Sequence, residues 1–126
     1  MRKRTSAHRR APRSGDVAYI PDEGDIVWLE FAPQAGREQS GRRPALVLSP
    51  ASYNGKTSLM LCCPLTTRIK DYPFEVPIGG EPRSVALADH VKNLDCVERK
   101  ASFKARATAG ELSQVRRAVR ALVGEP

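Results

Sequence analysis

The stretch "TAGELSQVRRAVRALVG", residues 108–124, carries a complete set of helix signals, and it stands at the end of a 126-residue chain. Thr108 and Glu111 fit the S/T-x-x-E capping box, in which each side chain satisfies the other residue's free N–H. Leu112, Val115, Val119 and Leu122 then recur on one helical face, with Arg116, Arg117 and Arg120 expected outside. Gly124 is placed to end the helix. A single amphipathic helix has to bury its apolar face against another layer, and the residues before it must supply that layer.

Those residues read as short β runs. In "DIVWLEF" (25–31), Ile26, Trp28 and Glu30 point one way and Val27, Leu29 and Phe31 the other. "ALVLS" (45–49) is apolar enough to be buried on both faces. Asn54-Gly55 is the strongest hairpin signal in the chain, since both residues tolerate positive φ, and it predicts that "LMLCCPLT" (59–66) returns antiparallel to 45–49. Pro64 predicts a bulge or an edge near the end of that strand. "PFEVPI" (73–78) and "VALADHV" (85–91) read as two more strands, and 92–107 as an ambiguous stretch with a short strand after a turn. Five or six strands with one terminal helix predict a mainly β fold, a compact barrel or highly twisted sheet capped by that helix.

The chain is long enough to close one core but not two. Its net charge of +7 is uneven: residues 1–18 hold Arg2, Lys3, Arg4, Arg9, Arg10 and Arg13 against Asp16 alone. With almost nothing apolar to bury, residues 1–18 are expected to be a disordered basic extension before a folded domain at 19–126. Two readings stay open for it: attraction of nucleic acid or acidic protein without sequence preference, or a solubilising extension or misplaced start codon with no such role. No apolar run approaches the ~20 residues that span a bilayer, and no apolar segment follows the basic start as in a secretory signal. Cys62 and Cys63 are adjacent and the cysteine count of 3 is odd, which speaks against a disulfide framework and for the cytoplasm. No Cys or His spacing resembles a zinc site, so neither metal nor other cofactor is expected.

The chemistry-bearing residues gather where a polar loop meets a strand, in "GREQSGRRPALVLSP" (36–50). Arg43 is followed by Pro44, which holds it in extended backbone at the strand mouth, so its head group is placed rather than loose. Guanidinium offers fixed charge and a planar fork of donors, which suits a phosphate. Glu38 lies five residues earlier and could face it. On spacing alone this is either a loop ion pair worth ~0–1 kcal/mol or an anion site with a base. Under antiparallel pairing, Thr66 at the end of its strand comes close to Ala45 and hence to Arg43. Thr67, Arg68 and Lys70 extend that edge. Asp89 and His90, read as neighbours in a strand, point to opposite faces and cannot form a local catalytic pair. Of the few aromatic residues most should be core, while Phe31 at the loop mouth and Tyr72 in the basic loop are placed to stack on bases. Phosphate-binding glycine loops and nucleophile elbows are missing.

"YIPDEGDIVWLEF", "GREQSGRRPALVLSP", "YNGKT", "PLTT", "YPFEV" and "VALADHVKNLD", in this order, closely resemble the MazF/PemK-type toxin endoribonucleases, over about Tyr19 to Gly124. The resemblance implies the small SH3-like β-barrel shared with the gyrase poison CcdB. It implies a homodimer of a type II toxin–antitoxin system, a sequence-specific and metal-independent endoribonuclease. Such enzymes cut single-stranded RNA to 2′,3′-cyclic phosphate and 5′-hydroxyl ends, and a cognate MazE-like acidic antitoxin blocks them. Residue by residue, Arg43 and Thr66 match catalytic positions and Glu38 a glutamate needed for activity. Gln39, Phe31, Arg42, Thr67, Arg68, Lys70 and Asp89 fall at or near the RNA path. Two departures stand out. Arg37 replaces a histidine found in some relatives before the Glu-Gln pair, and Leu87 replaces an arginine that others place two residues before the aspartate. The alternative is a non-catalytic module on the same barrel, a poison of a protein target or a general nucleic-acid binder.

Overall fold

The computed structural model describes residues 19–31 and 41–124. Seven strands form the sheet: β1 Asp25–Glu30, β2 Arg42–Val47, β3 Leu59–Thr66, β4 Glu75–Ile78, β5 Ser84–Leu87, β6 Lys92–Asp95 and β7 Ser102–Arg106. Two helices complete it, α1 Ala51–Thr57 and α2 Ala109–Val123. The hydrogen-bonded order is β4-β5-β3-β2-β1-β7, with β6 also paired to β3. The barrel expected from the sequence takes the form of a half-barrel, in which β4 and β7 are the ends of the path.

Both faces of the central strands are buried, as the run 45–49 predicted. Ile26, Leu46, Cys63 and Leu65 meet Val76, Ile78, Ala86 and Val115 on the face that α2 covers. Val27, Leu29, Ala45, Val47, Met60 and Cys62 form a second cluster on the other face, with Cys96. The alternation of β1 assigns its residues to these clusters one by one. Helix α2 has the reciprocal capping box, with Thr108 Oγ accepting from the Glu111 N–H and the Glu111 carboxylate from the Thr108 N–H. Val115 is fully buried, whereas Leu122, expected on the same face, is 45% exposed. Arg116, expected outside, is half-buried and donates to the Leu48 carbonyl at 2.6 Å and to Glu23 at 2.5 Å. Its guanidinium thereby links α2 to the segment that leaves β2.

The hairpin expected at Asn54-Gly55 is instead helix α1. β3 does return antiparallel to β2, in the register Ala45↔Pro64, Leu46↔Cys63 and Val47↔Cys62. Asn54 is the reason for the helix. Its buried side chain donates to the Pro21 and Ser49 carbonyls at 2.8 and 3.0 Å and accepts from the Ser49 hydroxyl at 2.7 Å. Tertiary partners outweigh the local turn preference. The left-handed residue that ends the helix is Ser58, at φ 64°.

The bulge or edge expected at Pro64 is a change of partner. On one flank of β3, Leu59–Cys62 pair with β6 and Leu65–Thr66 with β5. Pro64 lies between the two pairings, where its missing N–H leaves no ladder bond unmade. The strand expected at 85–91 is interrupted at the same place by a 3-10 turn, Ala88–His90. Asp89 and His90 therefore do not alternate across a strand, and Asp89 Oδ1 lies 3.9 Å from His90 Nε2.

Candidate active site

β2 begins at Arg42, so Arg42, Arg43 and Pro44 are strand residues rather than loop residues. Gly41 precedes them at φ 49°, a left-handed turn that glycine makes without strain and that carries the chain into β2. The paired register gives each arginine a different destination. Arg43 stands opposite Leu29 and Arg42 opposite Glu30 on β1. Adjacent strand residues face opposite ways.

Continuing the β2–β3 register two residues past Ala45↔Pro64 sets Arg43 across from Thr66. The two line one open cleft of about 430 Å³ together with Pro44, Thr67, Arg68 and Ser84. Among the described residues no carboxylate pairs with Arg43. The Thr66 hydroxyl accepts a hydrogen bond from the Arg68 N–H at 3.1 Å. A hydroxyl carries one donor and two acceptor sites, so this bond leaves the proton available to an oxygen in the cleft. Fixed positive charge, a hydroxyl donor and a second arginine on one wall make an anion site.

The other residues singled out from the sequence lie elsewhere. Arg42 donates to the Lys100 carbonyl at 2.8 Å, to Ser102 Oγ at 2.9 Å and to the Trp28 carbonyl at 3.4 Å, and sits 3.7 Å from Glu30. It ties β2 to β1 and β7 and is not a cleft residue. Phe31 packs against the second core cluster, and its carbonyl accepts from Arg99 at 3.1 Å. Lys70 places its ammonium 5.8 Å from the Tyr72 ring centroid and is not among the residues lining the cleft. Tyr53 and Tyr72, in a set expected to be mostly core, are 38% and 57% exposed. Asp89 lies on the 3-10 turn, where its charge reaches Cys63. Burial first, and then that charge, push the Cys63 thiol up to about 12. Glu38 and Gln39 lie outside the described residues.

Ser84 is a cleft residue that sequence reasoning missed. It stands in a turn, "GGEPRS", with nothing local to mark it. Only the pairing Thr66↔Val85 brings it beside the threonines. Trp28 was assigned to a strand face without a role, yet it lines a second opening next to the cleft.

A family model described as PemK-like, MazF-like toxin of type II toxin–antitoxin system matches residues 22–123. The endoribonuclease toxin MazF of Escherichia coli strain K12 is 47% identical over 107 residues, 84% of this chain and 96% of that protein. The crystal structure of MazF (Form-I) from Deinococcus radiodurans superposes with a TM-score of 0.76 at 53% identity, covering 85% of this chain and 99% of that one. The MazE-MazF complex (Form-II) from the same organism contains a chain that superposes with a TM-score of 0.80 at 53% identity, over 86% and 99%.

Proposed function

The chain belongs to the PemK-like, MazF-like toxin family of type II toxin–antitoxin systems, and from that premise we propose how its cleft works as an endoribonuclease. The observation that carries the proposal is Arg43 set across from Thr66 at one strand mouth, with Thr67, Arg68 and Ser84 completing the wall. The substrate is single-stranded RNA, in which a 2′-hydroxyl attacks its own 3′-phosphorus. The new O2′–P bond closes a 2′,3′-cyclic phosphate, and the P–O5′ bond breaks to leave a 5′-hydroxyl. One proton leaves the 2′-oxygen and one arrives on the 5′-oxygen.

Arg43 binds the phosphate and stabilises the charge that builds on its oxygens, where a fixed donor fork works in place rather than reorganising. The Thr66 hydroxyl donates to the same oxygens. Arg43 is not the proton donor, because guanidinium holds its proton at any working pH. Glu38 is assigned as the base that takes the 2′-proton, with Gln39 beside it on the RNA. Arg68 and Thr67 carry the neighbouring backbone. Phe31, Lys70 and Asp89 belong to the outer RNA path, and Arg42 holds the strand mouth from behind. No metal is given a step.

In this reading residues 19–126 are the toxin domain, and 1–18 are an extension that adds affinity for RNA without selecting sequence. The working unit is a homodimer, and the partner that silences it is a MazE-like acidic antitoxin laid across the loop of residues 32–44. No helix among the described residues is long and apolar enough to cross a membrane. We place the enzyme's work in the cytoplasm, with its substrate.

The test is incubation of the purified full chain with mixed-sequence RNA in EDTA, followed by mapping of the ends. Recurrent cuts with 5′-hydroxyl and 2′,3′-cyclic phosphate ends are expected. Ends bearing 5′-phosphates, or activity abolished by EDTA, would overturn the mechanism.

A further inference from the structure

Beyond the last pair of β1 with β7, Trp28↔Ser102, the first strand runs on through Leu29 to Glu30. Arg99 takes over the pairing there. Its carbonyl accepts from the Glu30 N–H at 3.0 Å. Its Nη1 donates back to the Glu30 carbonyl at 3.0 Å and to the Phe31 carbonyl at 3.1 Å. Arg99 is half-buried, and no carboxylate pairs with it among the described residues. Its charge goes instead into two backbone oxygens at the end of one strand, and charge-assisted bonds of this kind are stronger than neutral ones.

The place of those oxygens gives the contact its meaning. Leu29 and Glu30 form the last two rungs with β2, Leu29↔Arg43 and Glu30↔Arg42. The end of β1 therefore lies beside the strand mouth that carries Arg43, and terminal rungs open most easily. Both strands of the mouth are tied to one short segment: β1 by Arg99, and β2 by Arg42 through the Lys100 carbonyl and Ser102 Oγ. That segment hangs on β3, the strand of Thr66. Asp95 pairs with Leu59, and the Cys96 N–H donates to the Ser58 carbonyl at 2.9 Å. Within the turn, Asp95 Oδ1 accepts from the Val97 and Glu98 N–H groups at 3.0 and 2.8 Å, and Lys100 bends the chain at φ 55°. One braced turn thus sets both strands of the mouth relative to β3, and Arg43 relative to Thr66.

We propose that Arg99 is a positioning residue of this enzyme: by holding the Glu30 and Phe31 carbonyls it fixes the end of β1 and, through the last rungs with β2, the direction in which Arg43 meets the phosphate. The inference rests on the endoribonuclease reading and deepens it. Arg99 does not line the cleft, so it acts through Arg43 rather than on the RNA. Arg42 shares the turn but binds it from the β2 side, leaving the carbonyls that end β1 to Arg99.

The test is a double-mutant cycle with Arg43, run on a defined RNA well below each variant's melting range. Arg99→Met keeps the stem and removes the donors. It should lower kcat ~10-fold, as a small misplacement of a reacting group does. KM, and affinity for an oligonucleotide made uncuttable by a 2′-deoxy sugar at the cut, should stay nearly unchanged, the sign of an interaction lost only in the transition state. Arg99→Lys, which keeps a charged donor, should recover part of the rate. In the Arg43→Ala background the further loss from Arg99→Met should shrink to about twofold or less, since the two residues act as one unit. A normal kcat for Arg99→Met would overturn the proposal. So would a loss that is undiminished beside Arg43→Ala, or a raised KM with kcat held. If Arg99→Met does not hold its fold, Arg99→Gln, too short to reach the carbonyls, goes through the same cycle with the same overturning results. A wild-type chain that cuts no RNA, or an Arg43→Ala variant that turns over normally, marks the failure of the endoribonuclease reading itself, and this inference falls with it.

Discussion

Arg42 and Arg43 are neighbours of identical chemistry, and replacing each in turn by alanine should produce opposite phenotypes. Arg42→Ala removes donations to the Lys100 carbonyl at 2.8 Å and Ser102 Oγ at 2.9 Å, and the 3.7 Å approach to Glu30. Hydrogen bonds of this kind contribute ~0.5–1.5 kcal/mol each and an exposed ion pair ~0–1, so the half-exposed guanidinium should contribute ~1–2 kcal/mol in all. In a domain of this size that lowers Tm by ~5–15 °C. Cleavage measured well below the melting range should fall by about tenfold at most, the kinetic equivalent of ~1.4 kcal/mol of lost alignment. Arg43→Ala removes a side chain with no carboxylate partner among the described residues and lining an open cleft, so stability should change by about 0.5 kcal/mol or less. Its kcat should fall ~10²–10³-fold, as when one donor to a developing charge is lost. Arg43→Lys should not restore it, since a point charge does not reproduce the fork. The assay pairs a thermal melt with initial rates on a defined RNA. An Arg42 variant that melts normally but loses activity a hundredfold, or an Arg43 variant that keeps its turnover, would refute the division of labour.

Three further outcomes follow from particular contacts. Asn54→Ala strands the buried Pro21 and Ser49 carbonyls and the Ser49 hydroxyl, and should reduce unfolding free energy by ~2–4 kcal/mol in urea titration; a smaller loss than ~1 kcal/mol would mean that α1 is held some other way. Burial pushes the Cys62 and Cys63 thiols up to about 12 from 9.0. The folded chain thus keeps protons that the unfolded chain sheds above pH 9, and stability should fall as pH rises from 9 through 12. Denaturant midpoints at pH 8, 10 and 11 test this, and a slope unchanged by replacing both cysteines with alanine would show that other groups cause it. Deleting residues 1–18, which hold six cations and one anion, should weaken RNA binding at low salt and flatten its salt dependence while leaving the cut sequence intact; a changed cut sequence would mean that this segment reads bases.

What could be read from the sequence was what local rules control. The capping box of Thr108 and Glu111 needs only four residues, and it formed as written. Apolar alternation described β1, and the antiparallel return expected of residues 59–66 brought Thr66 to Arg43. Two things escaped because distant partners decide them. Asn54-Gly55 has the local chemistry of a turn, but Pro21, 33 residues away, takes the Asn54 amide and makes a helix of it. Arg42 and Arg43 look equivalent until the Lys100 carbonyl, 58 residues on and just before β7, claims one of them. Ser84 enters the cleft only through the pairing of β5 with β3.

The pairing of β1 with β7 has a consequence for timing. Asp25 meets Arg106, and Trp28 meets Ser102, so the first strand to be synthesised waits for the last. Pairings of such long sequence separation form late and slowly, and a nascent chain folds from its N-terminal end as it emerges. Until Lys100 and Ser102 emerge from the ribosome, Arg42 has only its contacts to Trp28 and Glu30 on β1, and until β7 and α2 follow, the opening beside the cleft lacks the residues they contribute. A chain still attached to its own message should therefore lack the completed frame around the cleft. Cutting power should be acquired at about the moment of release, which gives a co-produced inhibitor its interval to bind.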